Sequence, residues 1–322
     1  MSGRSLLTTA FRRAKTALSP GSAPGSLEEL TARKAEIEAA HGPWTAVNCQ
    51  LAEGLTTLQP GSVNFDEKTR RCVRIVQDFL GDDLRGLRVL DLGAGEGGLS
   101  LEFAARGASV VCVEGRRLNV AKAEFAASAL GLDVDFRCQD VRELREDERY
   151  DVTLCFGLLY HLDGESAVRL VETIGRITVR LLVLDTHFSL SASEALQVNG
   201  NEYRGHTFAE HEPAASLDAK AAKPWASLGN DSSFWLSKPS LFNLLLRSGF
   251  STAYEVAAPL VYDYWDRGTG ERFRYRDRTT IAAAKSAGRP MLTTPAVNAV
   301  SDRFVPEDLE RRMIEYPTPP KR

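Results

Sequence analysis

The stretch Arg88–Ser100, "RVLDLGAGEGGLS", decides the fold. A short apolar run with strand character, Val89 to Leu92, meets glycines at 93, 95, 97 and 98, and a helical pattern continues to about Arg106. Glycines between a strand and a helix let the chain turn sharply and bring bare backbone close to a ligand. Such a turn opens nucleotide-binding domains, which leaves open the nucleotide it holds. Outward from it, "SVVCVE" leads into a helix to about Leu130, and "DVDFRC" into a short connection. "YDVTLCFG" then precedes a helix over about Glu165–Ile177, and "RLLVLDT" ends at Thr186. Nearly all-apolar strands alternating with helices specify a parallel sheet covered on both faces, a doubly wound, Rossmann-like α/β fold.

Gly93, Gly95 and Gly98 fit the dinucleotide spacing G-x-G-x-x-G. Asp91 argues against it, because a carboxylate at the strand end sets negative charge where a pyrophosphate needs positive potential. A sulfonium carrying an ammonium group suits that charge. With Asp91, Gly93, Gly95 and Gly97 as an acid followed by G-x-G-x-G, the chain resembles the class I S-adenosylmethionine (SAM) methyltransferases. The resemblance covers about residues 87–286 and implies SAM as cofactor. It implies Glu114 in "VVCVEG" at the ribose hydroxyls and Asp140 in "RCQD" at the adenine edge. It also implies a sheet of seven strands ending in an antiparallel hairpin, for which "TAYEVAA" and "TTIAAAKS" are the candidates.

Around this domain the sequence predicts a basic arm over 1–25 and an N-terminal helical cap over 26–86, with a helix from Ser26 to Ala40. The domain itself carries insertions at about 188–236 and 259–278, and a polar tail follows over 287–322. The arm, rich in Arg and Ser and free of acids, has the composition of a transit peptide as well as of a loose linker. Lys and Arg total 40 against 43 acids, a net charge of -3, so no global pull towards nucleic acid or acidic membranes exists. No apolar run approaches the ~18–20 residues of a membrane span. Five scattered cysteines without C-x-x-C spacing fit a reduced, cytoplasmic protein.

The chemistry is expected after the fourth strand, where "CFGLLYHLDGE" leaves Tyr160 and His161 at the carboxyl edge of the sheet. Methyl transfer consists mostly of placing a nucleophile, with a base needed when it carries a proton to lose. Histidine is the residue type best suited to that at neutral pH, so His161 is read either as the base or as a brace for its loop. Tyr160 orients substrate or packs as a half-buried aromatic. His187 is a second candidate base at the same edge.

In the first insertion His206, Glu210, His211 and Glu212 form a cluster that reads as a metal site or, preferably, as a polar loop, and no metal is expected. Trp225, Phe234, Trp235, Tyr262, Tyr264 and Trp265 are candidates for a pocket wall. The segment "GLLYH", with "SFWLSKPSLFNLLLRSGF" and "PWTAVNCQLAEGLTTLQPG", resembles a subgroup related to the bacterial tRNA wobble-uridine carboxymethyltransferases. Arg267, Arg272, Arg274, Arg276 and Arg278 with Phe273 and Tyr275 would suit RNA, tempered by Glu271 and Asp277. The preferred expectation is O-methylation of a small-molecule acceptor, natural-product or sugar-like, by an enzyme that could be a homo-oligomer. The alternatives are a tRNA-uridine enzyme, with SAM or a carboxylated SAM, and a non-catalytic SAM-binding protein.

Overall fold

In the computed structural model, Val89 to Leu92 are fully buried within β3 (Arg88–Leu92), as the run of apolar residues requires. The residues described are 25–58, 66–216, 219–220, 223–256, 263–265, 272–274 and 277–285. The basic arm, the polar tail and most of the second insertion lie outside them.

The chain continues from β3 through α3 (Gly98–Ala105), β4 (Ser109–Glu114), α4 (Arg117–Leu130) and β5 (Asp135–Cys138). Next come β6 (Tyr150–Phe156), α5 (Gly164–Ile177) and β7 (Thr178–His187). Later in the chain lie α6 (Lys238–Arg247), β11 (Thr252–Glu255) and β14 (Arg278–Ala284). Together these strands make one seven-stranded sheet in the order β11-β14-β7-β6-β3-β4-β5. β3, β4 and β5 run parallel, with Leu90 opposite Val111 and Val113 opposite Arg137. β14 is antiparallel to both β7 and β11, which is the hairpin expected from "TAYEVAA" and "TTIAAAKS".

Contacts divide the chain into two units. The first holds residues 1–143 and 149–154, and the second 144–148 and 155–322. In the first, Ser26 opens α1 (Leu27–His41) with a reciprocal cap, its hydroxyl accepting from Glu29 N–H while the Glu29 carboxylate accepts from Ser26 N–H. Leu30 of α1 packs with Trp44, Leu51, Leu58 and Leu101 against Phe125 and Ala126 of α4. The N-terminal segment therefore shares a core with the cofactor-side helices. A small hairpin, β1 (Gln50–Ala52) and β2 (Leu55–Thr56), and α2 (Asp66–Leu80) complete this unit. Cys112 lies buried in β4, whereas Cys138, at the end of β5, is exposed.

In the second unit the first insertion carries regular strands. It builds a three-stranded antiparallel sheet in the order β10-β9-β8 from β8 (Glu194–Val198), β9 (Asn201–Ala209) and β10 (Ser232–Leu236). In β9 Tyr203 and Gly205 are buried and Glu202 on the opposite face is exposed, while Thr207 and Ala209, on the same face as Tyr203, become exposed towards the end of the strand. Ser237 caps α6, its hydroxyl accepting from Ser240 N–H, with Pro239 in the first turn. Short strands β12 (Asp263–Trp265) and β13 (Arg272–Arg274) pair within the second insertion. No helix of the described residues is long and apolar enough to cross a membrane.

Candidate active site

The glycine turn is held from below by Glu114. This residue, only 5% exposed at the end of β4, accepts from Gly95 N–H at 2.8 Å and from Arg116 N–H at 2.8 Å. Gly93 and Ala94 N–H both donate to the Val113 carbonyl, so the turn is stitched to β4 before any ligand arrives. Gly95 and Gly97 take φ of 56° and 81°, a region that favours glycine. A Cβ on Gly95 would meet nothing within 4 Å, so bare backbone faces open space there. A Cβ on Gly97 would lie 2.7 Å from Ala123 Cβ, so that glycine lets α4 approach.

Asp91 is buried in β3, where its carboxylate accepts from the Ser100 hydroxyl at 2.7 Å. Burial pushes its pKa up to about 6 against the Ser100 hydrogen bond, with the neighbouring Glu114 charge adding to the rise. Asp140 follows β5, paired with Arg142 at 2.6 Å and accepting from its N–H at 2.9 Å. Burial works to raise its pKa, but the Arg142 donors outweigh it and hold the carboxyl below its ordinary value. Glu96, between Gly95 and Gly97, was not singled out from sequence. Its buried carboxylate accepts from Thr45 N–H at 2.8 Å, Ala46 N–H at 3.1 Å, Val47 N–H at 3.2 Å and Lys122 Nζ at 3.2 Å.

In the second unit a one-turn 3-10 helix, Leu159–His161, follows β6 and carries both Tyr160 and His161. His161 Nδ1 lies 3.0 and 3.1 Å from the two oxygens of Glu210, which also accepts from Ser227 N–H at 2.8 Å. Asn230 Nδ2 donates to the His161 carbonyl at 2.6 Å, tying the loop to the insertion. Burial works to raise the Glu210 pKa, but His161 and Ser227 outweigh it and hold it below the ordinary value, so the carboxylate stays ionised. An ionised Glu210 accepts the Nδ1 proton and directs Nε2 away as the acceptor. His161 Nε2 makes no hydrogen bond among the described residues.

His187 is differently employed. Its Nε2 lies 3.3 Å from Arg278 Nη1, and its Nδ1 lies 3.4 Å from Asp277. Burial and then the Arg278 charge lower its pKa. A ring that already accepts from Arg278 is a poor proton acceptor for a substrate, so the geometry separates the two candidate bases. Arg278 in turn is held on buried Asp185 at 2.6 and 2.9 Å, and Thr280 donates to the same carboxylate. One arginine of the basic-aromatic stretch is thus a structural cation; Arg267 and Arg276 lie outside the described residues.

Trp235 stacks on His187, with centroids 4.7 Å apart, and tilts against Phe208 at 4.1 Å, while Tyr160 meets both His187 and Trp235 edge-on. Phe234 is buried core, and Trp225 is 61% exposed. Burial raises the Tyr160 pKa against the Arg278 charge, so the phenol is protonated at neutral pH. The histidine-acid cluster read from the insertion is dispersed. Glu210 serves His161, His206 pairs with Glu194 at 2.7 Å, and His211 Nε2 faces the Ser227 carbonyl. An i,i+4 spacing gathers side chains only on a helix, and His206 lies in strand β9.

Residues 89–180 match the family model of a methyltransferase domain. Across a wider span, the N-terminal domain of EvdMO1, crystallised in the presence of SAH and D-fucose, is 25% identical with a TM-score of 0.61. That similarity covers 83% of this chain and all of the EvdMO1 domain. Residues 89–180 are thus similar to a methyltransferase domain and lie within the Rossmann-like sheet described above. Among curated relatives, a ubiquinone biosynthesis O-methyltransferase of Rhodopseudomonas palustris (strain HaA2) is 37% identical over 84 residues, 26% of this chain and 33% of that protein. The enzyme of that name from Bradyrhizobium sp. (strain ORS 278) is 33% identical over 125 residues, 37% of this chain and 47% of that protein. The matched stretch thus spans between a third and a half of these relatives.

Proposed function

We propose that the chain is a SAM-dependent O-methyltransferase acting on a hydroxyl of a small, sugar-like acceptor, with His161 as the general base. The observation that carries this reading is the His161–Glu210 pair, which presents an imidazole as a proton acceptor on the loop after β6. The similarity to a methyltransferase domain supports methyl transfer, the relatives' O-methyltransferase names support oxygen as the target, and the EvdMO1 domain with D-fucose supports a sugar-like acceptor.

The donor residues fit SAM. Positive-φ glycines offer bare backbone, Glu114 is a buried carboxylate with lone pairs left for ribose hydroxyls, Asp91 supplies negative charge for a cationic ligand, and Asp140 is a carboxylate acceptor for the adenine edge. When bound, SAM supplies an electrophilic methyl group. On this reading His161 would take the hydroxyl proton of the acceptor at Nε2, and Glu210 would stabilise the imidazolium through Nδ1–H. Tyr160, protonated and edge-on to Trp235, orients the acceptor.

Glu114→Ala is expected to weaken SAM binding by about 1–3 kcal/mol, because a charged acceptor is lost from beneath both ribose and turn. Calorimetry checks it, with Glu102→Ala as the unchanged control. For the activity, labelled SAM is incubated with the protein and 6-deoxyhexoses, phenols, or total tRNA in parallel. Label in a sugar or phenol as a methyl ether is expected. Label in tRNA with none in the small molecules would overturn the reading in favour of the uridine-modifying alternative.

A further inference from the structure

Glu96 and Lys122 form a charge pair sealed from water, each side chain 3% exposed, inside the unit that carries the glycine turn. Such burial is costly unless hydrogen bonds satisfy the remaining lone pairs and protons. Here they do. Glu96 collects the successive N–H groups of Thr45, Ala46 and Val47 and the Thr45 hydroxyl, while Lys122 also donates to the Pro43 carbonyl at 2.7 Å. The segment 43–47 is thereby fastened to the residue between Gly95 and Gly97, two of the left-handed glycines of the turn. Its flanks are fixed by packing. Trp44 meets the Phe125 ring of α4 with centroids 5.9 Å apart, and Val47 lies where any side chain on Gly98, the first residue of α3, would have to go. The Thr57 hydroxyl anchors the far end by accepting from Cys49 N–H at 2.8 Å and donating to the Val47 carbonyl.

We propose that residues 43–47 are a strap across the cofactor turn and that Glu96 and Lys122 are the clasp, positioning residues that hold the turn for SAM without touching it. A turn built of glycines has many conformations to lose when a ligand orders it. A side chain in its middle, clamped to a packed segment, restricts those conformations beforehand and so strengthens binding. The inference rests on the donor-site reading above.

The test measures SAH affinity by calorimetry and backbone amide exchange in wild type, Glu96→Gln and Val47→Ala. A glutamine presents an amide NH2 to donors that need an acceptor. Glu96→Gln is therefore expected to bind SAH about tenfold more weakly, with exchange at Thr45, Ala46 and Val47 accelerated and that of β3 unchanged. Val47→Ala, which leaves the buried charges alone, should bind about threefold more weakly in the same pattern, and it decides the matter if the glutamine variant does not fold. Wild type failing to bind SAH would overturn the donor-site reading itself. Wild-type binding with equal affinity in a variant whose strap amides exchange faster would overturn the clasp, as would a lower melting temperature with affinity intact.

Discussion

His161→Ala is expected to lower turnover about a hundredfold or more while SAM affinity is retained, because a general base contributes on that scale and lies on the acceptor side of the chemistry. Glu210→Gln should lower turnover by a smaller factor, about tenfold. Its amide can still hold the Nδ1 side of the ring, but it no longer answers the charge that forms on the imidazole when the proton arrives. The two changes should not add, since both act through one proton acceptor. His187→Gln provides the contrast. That ring serves Arg278 and Asp277, so the substitution should lower the melting temperature through the Asp185–Arg278 network more than it lowers the rate. Steady-state kinetics with an identified acceptor, beside thermal melts, separates these outcomes. If His161→Ala lost stability in proportion to activity, His161 would be a brace for its loop, and the base would have to be sought elsewhere.

The difference between what sequence showed and what it hid follows the range of the interactions. The places of Asp91 and Glu114 in the last residues of β3 and β4, and of Gly93, Gly95 and Gly97 in the turn that follows β3, were legible because strand ends are set by local apolar runs such as "RVLDL" and "SVVCVE". The parallel core follows from the same runs, whereas the terminal hairpin was implied by the family resemblance. Glu210 was seen as part of a polar loop but its pairing with His161 was not, because the two stand 49 positions apart. The stretch "NEYRGHTFA" is strand β9, which sets His206 and Phe208 on one face and removes the helical spacing on which the metal alternative rested. Glu96 and Lys122 were invisible for a different reason. A glutamate in a glycine turn and a lysine on a helix are ordinary solvent-facing residues by type, and only the tertiary fold brings them together in a dry site with the N–H groups of 45–47.

Asp91→Asn is expected to stabilise the ligand-free protein while weakening SAM binding about tenfold or more. Buried on Ser100, Asp91 has a pKa pushed up to about 6, above the ordinary 3.8. A carboxyl raised in the folded state contributes its stability fully below the unfolded value, near pH 4, and loses it as pH rises through 6. At pH 7 the charged form therefore costs about 3 kcal/mol relative to an exposed carboxylate. Asparagine keeps an acceptor for the Ser100 hydroxyl and removes that cost, so its melting temperature at pH 7 should rise by several degrees, with the advantage shrinking towards pH 4. The cost is repaid only when a cation arrives, since a nearby positive charge favours the ionised form. SAM carries a sulfonium and an ammonium group, so binding should draw the Asp91 pKa down, release a proton near pH 6, and strengthen as pH rises through that value. Calorimetric titrations in buffers of different ionisation enthalpy read the proton directly. Wild type should release a fraction of a proton at pH 6 and almost none at pH 8, and Asp91→Asn should release none at either. Equal SAM affinity in both proteins, or proton release unchanged by the substitution, would remove Asp91 from the donor site and leave it as a buried carboxylate serving only the junction of β3 and α3.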